Sequence, residues 1–122
     1  MKKYTHIDDI DHLPSWIKEA KALKKNPLKD QELGKNKTIG LLFFNPSLRT
    51  RLSTQKAALN LGMNPIVMNI SEDAWGIEFG NKTVMNGSTA EHIKEAAAVV
   101  SQYFDVIAVR AFPSLTDKEK DE

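Results

Sequence analysis

The sequence predicts an α/β fold, a parallel sheet with flanking helices. Two short runs, Thr38–Phe44 and Asp105–Val109, are apolar almost throughout, as strands covered on both faces of a parallel sheet are. Between them, helical periodicity alternates with strand-like segments. The order strand, helix, strand over Thr38–Ile70 has the length of one βαβ crossover, whose hand is right-handed almost without exception.

Near the N-terminus, Leu13, Trp16, Ile17, Ala20 and Leu23 recur at helical spacing. Pro14 suits the first turn of that helix and Asn26-Pro27 its end, giving a lid-like packing helix. A polar link, Lys29–Lys37, leads into the first strand, which Asn45-Pro46 closes. Ser47–Leu61 is helical in pattern, with Gly62 placed for a left-handed C-terminal residue. At about 100° per residue, Leu48, Leu52 and Leu59 fall within roughly 40° of one another, so they are expected to lay a narrow stripe on the sheet. Pro65–Ile70 then reads as a second strand. Ser71–Gly87 lacks a sustained period and is expected to be loop, with Lys82–Met85 as a short edge strand. Ser88-Thr-Ala-Glu91 fits a capping box, opening a helix with Ile93, Ala97, Val100 and Phe104 on one face. The strand Asp105–Val109 follows and ends at Arg110, and Ser114–Glu122 is charged and aperiodic, like a linker or a cut connection.

Composition narrows the function classes. The chain has 122 residues, enough for one modest core, and its 17 basic and 16 acidic residues leave a formal charge of +1. No net field draws in nucleic acid, and no basic stripe carries interleaved aromatics. Cysteine is absent, which removes disulfides, thiolate nucleophiles and Cys-bearing zinc sites. His6, His12 and His92 lack ligand spacing and are expected at surface or cap positions, so no metal site is predicted. Neither a signal peptide nor a membrane-spanning run is found, pointing to a cytoplasmic protein with no membrane partner.

The chemistry is expected where parallel strands end and helices begin. Ser47–Arg51 follows the first strand there, and Arg110 follows the last. Free N–H groups and the positive end of the helix dipole favour an anion; Ser47 and Thr50 add hydroxyls and Arg49 a planar bidentate donor. Residues two apart on a helix diverge by about 200°, so Arg49 is expected to face the anion and Arg51 to turn aside into a structural ion pair. The plainer alternative is a Ser that only caps a helix beside solvated arginines. Asn45-Pro46 is read as turn chemistry, and Trp75, between Asp73 and Gly76, as either a core residue or a ligand contact.

The segments "FFNPSLRTR", "AALNLGMN", "DAWGIEFGNKTVMNGSTAEH" and "VIAVRAFP" resemble the aspartate and ornithine carbamoyltransferases, specifically the branch acting on N-acylated ornithine. The resemblance runs from about residue 36 to 113, and two departures from the wider family, Leu48 and Thr54-Gln55, are familiar in that branch. It implies the carbamoyl phosphate-binding domain of the carbamoyltransferase fold over residues 1–113, N-terminal and incomplete, then a polar linker at 114–122, with the second, amino-acid-binding domain absent. It implies carbamoyl phosphate as ligand, held by Ser47, Leu48, Arg49, Thr50, Trp75 and Arg110, with Arg49, Thr50 and Arg110 as the catalytic set. No cofactor is implied, because the departing phosphate can accept the amine's proton. The implied co-substrate is an N-acylated ornithine bound through the second domain, N-succinylornithine ahead of N-acetylornithine, in arginine biosynthesis. The implied assembly is a homotrimer in which Trp75 reaches the neighbouring subunit's site. The rival readings are an ornithine or aspartate carbamoyltransferase domain, and an inactive anion-binding or trimerisation domain.

Overall fold

A computed structural model describes residues 3–70, 76–80 and 91–112, and the chain divides into two compact units, residues 1–30 and 31–122. Trp75, Lys82–Met85, Ser88 and Ser114–Glu122 lie outside the described residues.

In the first unit a 3-10 turn, Ile7–Asp9, precedes helix α1, Leu13–Lys25. The Asp9 carboxylate accepts the N–H groups of Thr5 at 2.7 Å and His6 at 3.0 Å, and these bonds hold its carboxyl below the usual range. Pro14 stands in the first turn of α1, where its missing N–H costs nothing, and Asn26 is the C-cap. The Tyr4 and Trp16 rings meet edge to face at 5.0 Å, and Lys29 bridges Glu19 and Asp30. Glu19 is the main cause of the raised Lys29 pKa.

The second unit carries strand β1, Thr38–Phe43, helix α2, Leu48–Asn60, and strand β2, Asn64–Asn69. Two two-residue strands follow, β3 at Ile77–Glu78 and β4 at Glu91–His92, then helix α3, Ile93–Val100, and strand β5, Val106–Arg110. The main sheet has the order β2-β1-β5, both pairings parallel, while β3 and β4 form a separate parallel pair. The predicted α/β class is therefore the observed one. Among the described residues no helix is long and apolar enough to cross a membrane.

Strand β1 is the centre, and its two faces have different cores. Ile39, Leu41 and Phe43 pack with Ala58 of α2, whereas Leu42 packs with Ile70 and with Val100 of α3. The Leu48, Leu52 and Leu59 stripe does not lie on the sheet: these leucines are 71%, 57% and 53% exposed. The inward face of α2 is instead Ala58 with half-buried Thr54 and Gln55, because small or slender side chains let the helix approach the sheet. The capping-box expectation is also corrected. Glu91 pairs with Ile77 as a strand residue, and α3 starts at Ile93 with His92 as its cap, the ring accepting Lys94 N–H at 3.2 Å. That helix ends at Val100, so Phe104 lies beyond it, and Ala97 is exposed while Ala96 is buried. His6, His12 and His92 all stand at helix N-caps.

Three described glycines, Gly34, Gly40 and Gly62, leave no room for a Cβ. Gly62, at φ +80°, completes the C-terminal motif of α2, in which the N–H groups of Gly62 and Met63 bond Leu59 and Ala58 carbonyls at 3.0 Å. A Cβ there would sit 2.0 Å from the Gln31 carbonyl oxygen. On β1, a Cβ at Gly40 would stand 2.6 Å from the Phe104 ring, which occupies that space instead. Both replacements by alanine are expected to destabilise the fold. Gly40→Ala should cost about 1–3 kcal/mol, since a ring can shift, and Gly62→Ala more, since the obstacle is backbone. Urea denaturation of the two variants checks this order.

Candidate anion site at the strand ends

The register that pairs Phe43 with Arg110 brings the carboxyl ends of β1 and β5 side by side. Asn45-Pro46 then turns the chain into α2, where Ser47 is the N-cap in extended conformation. Ser47 makes no side-chain capping bond, and the first intrahelical bond runs from Arg51 N–H to the Ser47 carbonyl at 3.2 Å. The N–H groups of Leu48, Arg49 and Thr50 therefore have no acceptor in the helix. Thr50 gives its carbonyl to the hydroxyls of Ser53 and Thr54, at 3.1 and 2.8 Å, and its own hydroxyl has no partner among the described residues. The N-cap geometry is present, but the Ser47 hydroxyl that would complete it makes no capping bond.

Arg110 is half-buried and oriented. Its Nη1 donates to the Asn45 carbonyl at 2.9 Å and the Pro46 carbonyl at 3.3 Å, and its guanidinium lies 4.2 Å from the Phe112 ring centre. Among the described residues no acceptor engages Nη2 or Nε. Asn45 closes the arrangement by accepting Phe112 N–H on Oδ1 at 2.7 Å. Sequence reasoning assigned Asn45 only a turn; it is also the clasp between the two strand ends. Its partners lie 65 and 67 residues away, so no local pattern could have shown it.

Ser47, Thr50 and Arg110 are thus brought to one edge of the sheet, with the Leu48 backbone. Arg49 is exposed on the same first turn. Arg51 corrects the expectation. Among the described residues it has no ionic partner; it lines a cleft of about 180 Å³ with Pro46, Ser47, Leu48 and Asn69. Neither α2 nor β2 carries a carboxylate that could pair with it.

The model of the aspartate/ornithine carbamoyltransferase carbamoyl-P binding domain matches residues 2–121. The chain belongs to this family. It is 50% identical to the N-succinylornithine carbamoyltransferase of Bacteroides fragilis strain 638R over 99% of its length, and 48% identical to the N-acetylornithine carbamoyltransferase of Xanthomonas campestris pv. campestris over 89%. These matches place it with the N-acylornithine branch. It covers 38% and 32% of those relatives. Its fold matches a crystal structure of an N-acetyl-L-ornithine transcarbamylase variant complexed with carbamyl phosphate and N-succinyl-L-norvaline. The TM-score is 0.82 at 42% identity, over 99% of this chain and 36% of that one.

The clasp yields a prediction of its own. Arg110→Ala should lower stability by about 1–3 kcal/mol and Asn45→Ala by about 1 kcal/mol. Because both groups hold one turn, the double variant should lose less than the sum, as a urea-denaturation double-mutant cycle would reveal.

Proposed function

We propose that this chain is the carbamoyl phosphate-binding part of an N-acylornithine carbamoyltransferase that serves arginine biosynthesis in the cytoplasm. The observation that carries the reading is the coincidence of donors without an acceptor among the described residues: three N–H groups and two hydroxyls on the first turn of α2, beside a fixed guanidinium whose Nη2 and Nε are likewise unengaged there. Such an arrangement suits a phosphate joined to a polar carbonyl. Ser47, Arg49 and the amides of Leu48–Thr50 hold the phosphate oxygens, and Thr50 and Arg110 address the carbonyl oxygen.

The reaction follows from positioning and charge. The neutral side-chain amine of an N-acylated ornithine attacks the carbonyl carbon, forming the C–N bond and placing negative charge on the carbonyl oxygen beside Thr50 and Arg110. Collapse breaks the bond from that carbon to the bridging oxygen. Phosphate leaves into the donors of α2 and takes the proton released by the amine. N-succinyl-L-ornithine is favoured over N-acetyl-L-ornithine, since identity to the succinylornithine enzyme extends over more of this chain. The amino acid is held by a second domain, and Trp75 completes the site of a neighbouring subunit in a homotrimer. The 122-residue chain alone, residues 1–113 of which form this domain, binds carbamoyl phosphate weakly and does not transfer it.

Isothermal titration with carbamoyl phosphate tests the assignment. Ser47→Ala and Arg49→Ala should each weaken binding about tenfold or more, equivalent to at least ~1.4 kcal/mol. Binding that survives Arg49→Ala unchanged would show that the phosphate sits elsewhere. Turnover of N-succinylornithine by the chain alone would contradict its inactivity.

A further inference from the structure

The ring of His92 is engaged at both of its nitrogens. His92 stands half-buried where β4 passes into α3, opposite Glu78 in the β3–β4 pair. Nδ1 accepts the Lys94 N–H at 3.2 Å and so caps the helix, while Nε2 lies 3.1 Å from the carbonyl oxygen of Gly80, twelve residues back. A backbone N–H can only donate and a carbonyl can only accept, so these partners require the neutral ring with its single proton on Nε2. A short cap residue would serve Lys94 alone. Serine, threonine, aspartate and asparagine are the favoured N-caps, and each is too short to reach Gly80 as well.

The segment that the ring holds is itself ordered by packing. Ile77 of β3 packs with Leu42, Ile70 and Val100 on the α3 face of the sheet. Phe79 meets Phe44 edge to face at 5.7 Å, and the Glu78 carboxylate accepts the Phe79 and Gly80 N–H groups at 2.9 and 2.8 Å. Glu91 N–H donates to the Gly76 carbonyl at 3.3 Å. Residues 76–80 are therefore tied to the start of α3 at both ends, at Gly76 through backbone and at Gly80 through the His92 ring.

Only the second tie can be undone by a proton. A charged imidazole donates from both nitrogens, so its Nδ1–H would face the Lys94 N–H and the cap must open. The charged groups on the elements around the ring are Glu78 of β3, Glu91 of β4, and Lys94 and Glu95 of α3. The three carboxylates attract a charged ring, whereas Lys94 and the positive start of the helix repel it. We infer that His92 is an acid-sensitive latch between the end of β3 and the start of α3, closed only by the neutral Nε2–H ring. Once charged, His92 can donate to Gly80 or turn to solvent, but it cannot hold Gly80 and cap α3 at once. The latch uses none of the residues assigned to carbamoyl phosphate, so it stands or falls apart from that reading.

Long-range ¹H–¹⁵N spectra of the labelled 122-residue chain test this. At pH 8 the His92 ring should show a bare Nδ1 and a protonated Nε2, as one tautomer. Between about pH 8 and pH 5, the range in which histidine ordinarily changes charge, the Lys94 amide should titrate with the same midpoint as the ring. His92→Asn keeps a capping oxygen but cannot reach Gly80. In that variant the Lys94 amide should no longer titrate and α3 should persist by circular dichroism. Its Glu91 amide should exchange about fivefold faster or more, the effect of one lost hydrogen bond beside it. Mixed tautomers at pH 8, a Lys94 amide that ignores the ring titration, or unchanged Glu91 exchange in His92→Asn would each overturn the inference. If His92→Asn fails to fold, the tautomer and the titration of the unaltered chain still decide.

Discussion

The contact on which the site depends is the pair of hydrogen bonds from Arg110 to the carbonyls of Asn45 and Pro46, at 2.9 and 3.3 Å. A carbonyl at the end of a central strand needs a donor, and the next strand in a parallel sheet supplies one only while the ladder lasts. Here the ladder closes with Phe44 N–H to the Arg110 carbonyl at 2.9 Å, and the same residue's side chain then takes over. The turn leaving β1 is fixed before any ligand arrives. That fixes the direction of the first turn of α2, and with it the aim of its unpaired N–H groups.

Everything that serves this contact lies deeper in the sheet. Gly40 admits the Phe104 ring, and the Asp105 carboxylate receives Thr38 N–H at 2.8 Å, so β5 enters the sheet in the register that later places Arg110 opposite Phe43. At the far end of α2, the Gly62 turn and the 3-10 segment Gln31–Gly34 meet closely, Gly34 N–H donating to the Leu61 carbonyl at 2.8 Å. The helix is thus held at its C-terminus by backbone and left open at its N-terminus. The backbone anchor of α2 lies at the end away from the anion site.

Much of this was legible in the sequence, for physical reasons that can be named. Strands of a parallel sheet write short apolar runs, so Thr38–Phe43 and Val106–Arg110 were visible, although only the first is buried and the expected cover on both faces of the second is not found among the described residues; Gly62 marked the end of α2 because few residues tolerate positive φ. The inward face of α2 was not visible. Periodicity favoured the leucines, whereas close packing on the sheet selected Ala58; nothing among the described residues accounts for the exposed Leu48, Leu52 and Leu59. Strands β3 and β4 have two residues each, too few to write a period, and this led Glu91 to be read as a helix residue. At the site, Ser47, Thr50 and Arg110 could be proposed from their places after strands, but Asn45 could not, because its role exists only through distant partners.

The central claim is that the fixed turn presents the first amides of α2 and the guanidinium of Arg110 to one anion. A titration of the ¹⁵N-labelled chain with carbamoyl phosphate, followed by amide and guanidinium resonances, tests it most directly. The account predicts that Leu48, Arg49 and Thr50 N–H and the Arg110 side chain shift together along one saturation curve. Saturable shifts confined to other residues, with these four signals unmoved, would contradict it.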